Sequence, residues 1–275
     1  MKYSPVEANR ILQEYEFNFK KKFGQNFIVD EHIIDNIINK TNIEENSLVI
    51  EVGPGSGALT YKLCQNAKYV VCFEIDETLK DILANNLKEF NNVEVIYQDF
   101  LKVDLIPILK KYSYDHLYLI ANLPYYITTP IITKIIDDDI DIDKMVVMVQ
   151  KEVGERFSAK HNTKNYNSLS VFLQYNFNIS KMMDVSRNVF LPKPNIDSEV
   201  IEFIKKDKEK VNDLGKFYSL VRDSFTQKRK TLRNNLKGYD LEKVNKVLEK
   251  YGKDLSVRGE ALDVEVFVEI ANELS

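Results

Sequence analysis

Between about Leu48 and Gln150 the chain alternates short apolar runs with amphipathic stretches. Leu48–Val52, Tyr69–Ile75, Val93–Tyr97, His116–Ala121 and Met145–Val149 have the length of strands and are mostly apolar, as strands covered on both faces are. Ala58–Asn66, Glu77–Glu89 and Thr129–Ile136, which lie between them, carry helical spacing. This alternation predicts an α/β fold: a parallel, Rossmann-like sheet with helices on both faces. Ser168–Tyr175 reads as a further helix, and Phe177–Val185 and Ser198–Ile204 as two further strands.

The pattern changes after Lys205. Lys205-Lys206-Asp207-Lys208-Glu209-Lys210 is a solvated charge run suited to a linker. Beyond it only helical periodicity remains, in Leu214–Thr226, Lys230–Leu236, Leu241–Tyr251 and Val264–Leu274. The expected organisation is therefore a larger α/β domain over residues 1–205 and a small all-helical C-terminal domain over 206–275.

Composition narrows the classes. The chain has 275 residues, of which 44% are hydrophobic and 29% charged, enough for a real core and against disorder. Its first thirty residues hold no apolar run of signal-peptide length, and no stretch approaches the roughly 18 apolar residues of a membrane span. A soluble cytoplasmic protein is expected. Cys64 and Cys72 read as reduced core thiols, and His32, His116 and His161 are too scattered for a metal site. The net charge of -4, taken alone, counts against a nucleic-acid partner. The charges are unevenly spread, however. Lys20-Lys21-Lys22 and Lys228-Arg229-Lys230 with Arg233 are basic clusters, while Asp137-Asp138-Asp139 is acidic.

The candidate chemistry lies at strand ends. Gly53-Pro54-Gly55-Ser56-Gly57 follows the first apolar strand, where glycines permit a tight turn and close approach of a ligand. That pattern alone also fits a dinucleotide site or a plain turn. Glu74 ends the second strand, 21 residues after Gly53, placed to accept both hydroxyls of a ribose. Asp99 follows the third strand and can accept from an adenine amino group. Two acids at successive strand ends suit an adenosyl ligand without a diphosphate, and S-adenosylmethionine, a cationic sulfonium, is one.

Asn122-Leu123-Pro124-Tyr125 follows the fourth strand. An exocyclic adenine amine is a poor nucleophile because its lone pair is delocalised into the ring. An amide oxygen from Asn122 and the backbone carbonyl of Leu123 can each accept one N–H and localise that lone pair. Pro124 stiffens the turn, and Tyr125 offers a face on which an extruded base can stack. The expected reaction is methylation of an adenine amine, driven by positioning and electrostatics.

These segments carry a family resemblance from Lys21 onward. Phe23-Gly24-Gln25-Asn26-Phe27-Ile28, the glycine loop, Glu74, Asp99, Asn122–Tyr125, Phe190-Leu191-Pro192-Lys193-Pro194 with Asp197-Ser198, Ser224–Asn234 and Arg258–Leu262 together resemble the ribosomal RNA adenine dimethyltransferases, most closely their small-subunit branch. The resemblance implies that Asn26, the Ile28 backbone, Gly53, Glu74, Asp99 and Asn122 bind S-adenosylmethionine. It implies that Asn122, Leu123 and Tyr125 act on the base and that Phe190 closes on it opposite Tyr125. It also implies that Lys228, Arg229, Lys230 and Arg233 contact RNA. The implied substrate is a pair of adjacent adenosines in the 3′-terminal hairpin loop of 16S rRNA, within a small-subunit precursor, and the implied role is ribosome biogenesis. No DNA or membrane partner is expected, and a monomer suffices. Departures are small: Ile28 stands where the family usually has Leu, and Thr226 and Lys228 where it often has Ser and Arg.

Three other readings compete. A macrolide-resistance methyltransferase of 23S rRNA shares the catalytic motif but less of Gly24-Gln25, the glycine loop and Lys228–Asn234. DNA adenine methyltransferases usually have Pro in place of Leu123 and a separate target-recognition region. A non-catalytic assembly or transcription factor would have little use for intact Asn122, Tyr125, Glu74 and Asp99.

Overall fold

The computed structural model describes residue 10, residues 12–14, 19–20 and 24–275. Lys21, Lys22 and Phe23, named above in a basic cluster and a motif, lie outside the described residues. By contacts the chain divides into two units: residues 1–151 with 180–204, and 152–179 with 205–275.

The first unit is built on a seven-stranded sheet. Its strands are β2 (Ser47–Val52), β3 (Tyr69–Phe73), β4 (Val93–Ile96), β5 (His116–Asn122), β6 (Lys144–Gln150), β7 (Phe177–Val185) and β9 (Ser198–Lys205). Their order across the sheet is β4-β3-β2-β5-β6-β9-β7. β2 pairs parallel with β3 and β5, β3 with β4, and β5 with β6, whereas β9 runs antiparallel to β6. Growth of the sheet reverses at β2: the chain adds β3 and β4 on one side, then returns to add β5 and β6 on the other. All six residues of β2 are buried, as expected of a central strand covered on both faces.

Several elements lie outside the strand–helix pattern read from sequence. A two-residue strand β1 (Phe27–Ile28) pairs antiparallel with β8 (Phe190–Leu191). Helix Glu31–Thr41 follows; the Asp30 side chain caps it by accepting from His32 N, and it buries Ile34, Ile37, Ile38 and Thr41 along one stripe. The helix expected over Glu77–Glu89 is instead a 3-10 turn, Glu77–Leu79, followed by helix Lys80–Asn86.

The second unit is helical: Ser168–Asn176, Leu214–Ser224, Leu232–Asn235, Leu241–Lys250 and Val264–Glu273. It includes Glu152–Ile179, which the sequence pattern had assigned to the α/β domain. Val171 and Tyr175, on helix Ser168–Asn176, are fully or nearly fully buried in one cluster with Phe217, Val244, Leu248 and Phe267. Apolar burial joins segments far apart in sequence, so the boundary is discontinuous. The Arg258–Leu262 stretch is pinned here too: a Cβ on Gly259 would meet Ser224 O at 2.8 Å. No helix among the described residues is long and apolar enough to cross a membrane.

The core of β2 holds one ionisable group. Glu51 is 1% exposed, Cys72 Sγ donates to its Oε2 at 3.6 Å, and burial pushes its carboxyl from 4.5 up to about 8. The folded value lies above the unfolded one. The stability tied to the neutral form is therefore complete below about 4.5 and is lost as pH rises towards 8. Glu51→Gln cannot ionise. Its melting temperature should gain on that of the wild type, by roughly 5 °C, as pH rises from about 5 to about 8.5. Parallel melting curves across that range would show that Glu51 does not titrate there.

Candidate active site

The site forms at the carboxyl ends of β2, β3, β4 and β5, around the point where sheet growth reverses, where open α/β sheets place ligands. After β2 the backbone turns through left-handed conformations at Gly53 (φ 73°), Gly55 (φ 59°) and Gly57 (φ 85°). Gly55 is also sterically obligatory, since a Cβ there would lie 2.6 Å from the Phe27 ring. Gly53 N donates to Phe73 O at 2.9 Å, which ties the turn to the end of β3.

One cavity brings together most of the residues expected from sequence. Asn26, Gly53, Glu74, Asp99, Asn122, Leu123 and Tyr125 all line it. Glu74 is 5% exposed, and its two oxygens accept from Gly55 N (3.2 Å) and Asp76 N (2.9 Å). Burial outweighs those bonds and lifts its carboxyl from 4.5 to about 7. Asp99 is half-buried and caps the following 3-10 turn, accepting from Leu101 N at 3.1 Å.

Asn122 ends β5. Its Nδ2 donates to the backbone carbonyl of Asn26 at 2.8 Å, so the amide is held with Oδ1 as its remaining acceptor. Leu123 is buried, with its N–H donating to Met148 O at 3.3 Å. Tyr125 is tethered through its hydroxyl to Ser198 Oγ (2.8 Å), and burial raises its pKa above the usual 10. Together these residues present an amide acceptor and an anchored aromatic ring in the cavity that also holds two carboxylates.

Six expected residues do not line this cavity. Ile28 lines a smaller adjoining cavity, together with Phe27, Gly53 and Asn122. Phe190 does not line the cavity that holds Tyr125; it is 3% exposed, sits opposite Ile28 in the β1–β8 pair and belongs to the main apolar cluster. Burying that ring among apolar neighbours is favoured over leaving it facing water. Lys228, Arg229, Lys230 and Arg233 belong to the helical unit, where all four are exposed. Lys228 Nζ donates to Lys164 O at 2.6 Å.

The structure adds residues the sequence reading did not single out. Tyr126, 55% exposed, lines the cavity beside Gly24. Asp76, 2% exposed, binds Lys20 and Gln25. Its signal was present: an acid two residues beyond Glu74 falls on the same side of an extended chain.

The cavity fits S-adenosylmethionine. Glu74 and Asp99 are acceptors at successive strand ends. Among the described residues no lysine or arginine lines the cavity, which favours a cationic ligand over a diphosphate.

Comparison with known proteins finds relatives over nearly the whole chain. The family profile described as ribosomal RNA adenine dimethylase matches residues 16–275. The protein called ribosomal RNA small subunit methyltransferase A from Geobacillus kaustophilus is 43% identical over 99% of this chain and 96% of its own length. Its namesake from Oceanobacillus iheyensis is 42% identical over 98% and 95%. Among solved structures, a dimethyladenosine transferase from Plasmodium falciparum superposes with a TM-score of 0.76 at 27% identity, covering 88% of this chain and 94% of that one. The 23S rRNA methyltransferase ErmE shares the fold, with a TM-score of 0.73 at 22% identity over 90% and 99% of the two chains. The chain belongs to the ribosomal RNA adenine dimethylase family of S-adenosylmethionine-dependent methyltransferases.

Proposed function

We propose that this protein dimethylates the N6 amines of two adjacent adenosines in the 3′-terminal hairpin loop of 16S rRNA, acting as a cytoplasmic monomer on a precursor of the small ribosomal subunit. The observation that carries this reading is Asn122. Its amide is oriented by the Asn26 carbonyl, in the cavity that holds Tyr125, Glu74 and Asp99. The relatives named as small-subunit methyltransferases support small-subunit rRNA as the substrate over the 23S rRNA of the macrolide-resistance alternative.

S-adenosylmethionine, when bound, supplies an electrophilic methyl group. Glu74 accepts from its ribose and Asp99 from its adenine, while Asn26, Gly53 and the Ile28 backbone form the remainder of that site. Asn122 Oδ1 and the Leu123 carbonyl accept the two N–H groups of the target amine, drawing its lone pair out of conjugation. A monomethylated amine keeps one N–H, so the second transfer uses one acceptor at a time. Tyr125 stacks on the base, and its tether to Ser198 fixes the ring before the base arrives. Phe190 reaches the base only by leaving the apolar cluster, exchanging one buried surface for another. The exposed Lys228, Arg229, Lys230 and Arg233 supply phosphate contacts, which position the RNA without reading its sequence.

Incubation with labelled methyl donor and unmethylated small subunits should give four methyl groups on two adjacent adenosines of 16S rRNA; label confined to 23S rRNA would favour the macrolide-resistance reading. Asn122→Ala should lower kcat at least about 100-fold while changing the affinity for S-adenosylhomocysteine only a few-fold. Equal losses in calorimetry and turnover would remove Asn122 from the base-binding role. Glu74→Ala should weaken donor binding about tenfold or more. Because the acceptor is the ionised carboxylate and burial raises its pKa to about 7, wild-type donor affinity should strengthen as pH rises from about 6 to about 8, and Glu74→Gln should be flat. Reversing Lys228, Arg229 and Lys230 to Glu should weaken binding to small subunits and flatten its dependence on salt; unchanged binding would make this stretch a solvated surface.

A further inference from the structure

Asp76 is buried; its carboxylate touches neither the base acceptors nor the expected donor contacts, yet both its oxygens accept hydrogen bonds. Oδ1 accepts from Lys20 Nζ (2.6 Å), Thr78 N (3.2 Å) and Thr78 Oγ1 (2.6 Å), and Oδ2 accepts from Gln25 Nε2 (2.8 Å). Lys20 N donates to Gln25 Oε1 at 2.8 Å, and Lys20 Nζ also reaches Thr78 Oγ1 at 3.0 Å. Residues 20 and 25 are thereby gathered at one carboxylate. Burial would raise the Asp76 pKa, but the bonds from Lys20, Thr78 and Gln25 hold it below the ordinary value, so the charge persists at neutral pH.

From this anchor the chain leads straight into the site. Gly24, Gln25 and Asn26 line the cavity. Asn26 Nδ2 donates to Gly24 O at 3.0 Å, while the Asn26 carbonyl takes the bond from Asn122 Nδ2 at 2.8 Å. Phe27, the next residue, presses its ring into the space above Gly55. On its other side Asp76 is bonded to the ribose acceptor, because its N–H donates to Glu74 Oε1 at 2.9 Å. One path therefore runs from Glu74 to Asn122: hydrogen bonds join Glu74 to Asp76, Asp76 to Gln25 and Asn26 to Asn122, and the peptide bond joins Gln25 to Asn26.

Building on the proposed function, we propose that Asp76 is a positioning residue: it seats the segment containing Gln25 and Asn26 on the cavity and thereby couples the donor-binding end, at Glu74, to the orientation of the Asn122 amide. If Gln25 leaves Asp76, the Asn26 carbonyl shifts and Asn122 loses the bond that directs Oδ1 at the target amine. Such a latch must affect turnover as well as donor binding. A simple anchor for the donor pocket would raise the donor KM and leave kcat at saturating donor unchanged.

The test uses the full chain with Gln25→Ala, Asp76→Ala and the double variant, assayed on unmethylated small subunits, with S-adenosylhomocysteine binding by calorimetry and melting temperature recorded for each. Gln25 is only partly buried, so Gln25→Ala keeps the test valid if Asp76→Ala fails to fold. The expected result for Gln25→Ala is a binding stoichiometry near one, a several-fold weaker Kd and a kcat about tenfold lower at saturating donor, in line with loss of a hydrogen bond to a charged group. The double variant should be no worse than the poorer single variant, because both break one path. A changed KM with unchanged kcat would overturn the proposal, as would additive losses in the double variant. Failure of the wild type to methylate small subunits would instead count against the proposed substrate.

Discussion

Parallel pairing of β2 with β3 on one side and β5 on the other is the constraint from which the site follows. In-register parallel strands end at one edge, so Gly53, Glu74 and Asn122 arrive together although 69 residues separate the first from the last. A parallel sheet also requires crossover helices on its faces. That leaves its carboxyl edge as the place where loops can converge without disturbing the core. The buried strands supply rigidity, and the loops supply chemistry.

The edge is then closed by one close contact. With Gly55 in a left-handed turn and bare of a side chain, the Phe27 ring can lie directly above the loop. β1 begins at this residue, and its pairing with β8 brings Ile28 opposite Phe190. The N-terminal segment is thus part of the site's wall, and the Asn26 carbonyl orients Asn122 across 96 residues of sequence. An amide held by backbone rather than by a mobile side chain loses little entropy on meeting a ligand.

The sequence made the central sheet legible because its strands and helices have periodicities of their own. Helix Ala58–Asn66 and strand Phe177–Val185 appear with the expected bounds. Glu74, Asp99 and Asn122 were legible as polar residues at the ends of apolar runs. Elements that owe their form to distant partners were not. β1 and β8 are two residues each and exist only as a pair, so neither has a pattern to read. Helix Glu31–Thr41 did carry a signal, in the Asp30 cap and the Ile34, Ile37, Ile38 spacing, but it lies outside the strand–helix alternation that guided the reading. The place of Glu152–Ile179 in the helical unit is set by burial of Val171 and Tyr175 with Phe217, which no local pattern encodes. Phe190 belongs to its motif by sequence, while its ring position is decided by packing.

Glu51 and Glu74 show that burial alone does not decide how a carboxyl behaves. Both are nearly inaccessible and both are raised by burial, to about 8 and about 7. Glu51 accepts from Cys72 and lines the smaller adjoining cavity; burial dominates there, so its neutral form is the stable one near pH 7. Glu74 faces the cavity and carries two backbone N–H bonds that favour its ionised form, which leaves it close to balance. A group so poised responds to what binds beside it: a cationic ligand favours the carboxylate, and hydroxyl donors favour it further. In the proposed role of Glu74, the ligand would offset the part of its burial cost that the Gly55 and Asp76 N–H bonds leave. That is how a site can favour a sulfonium over a neutral analogue of the same shape without touching the sulfur.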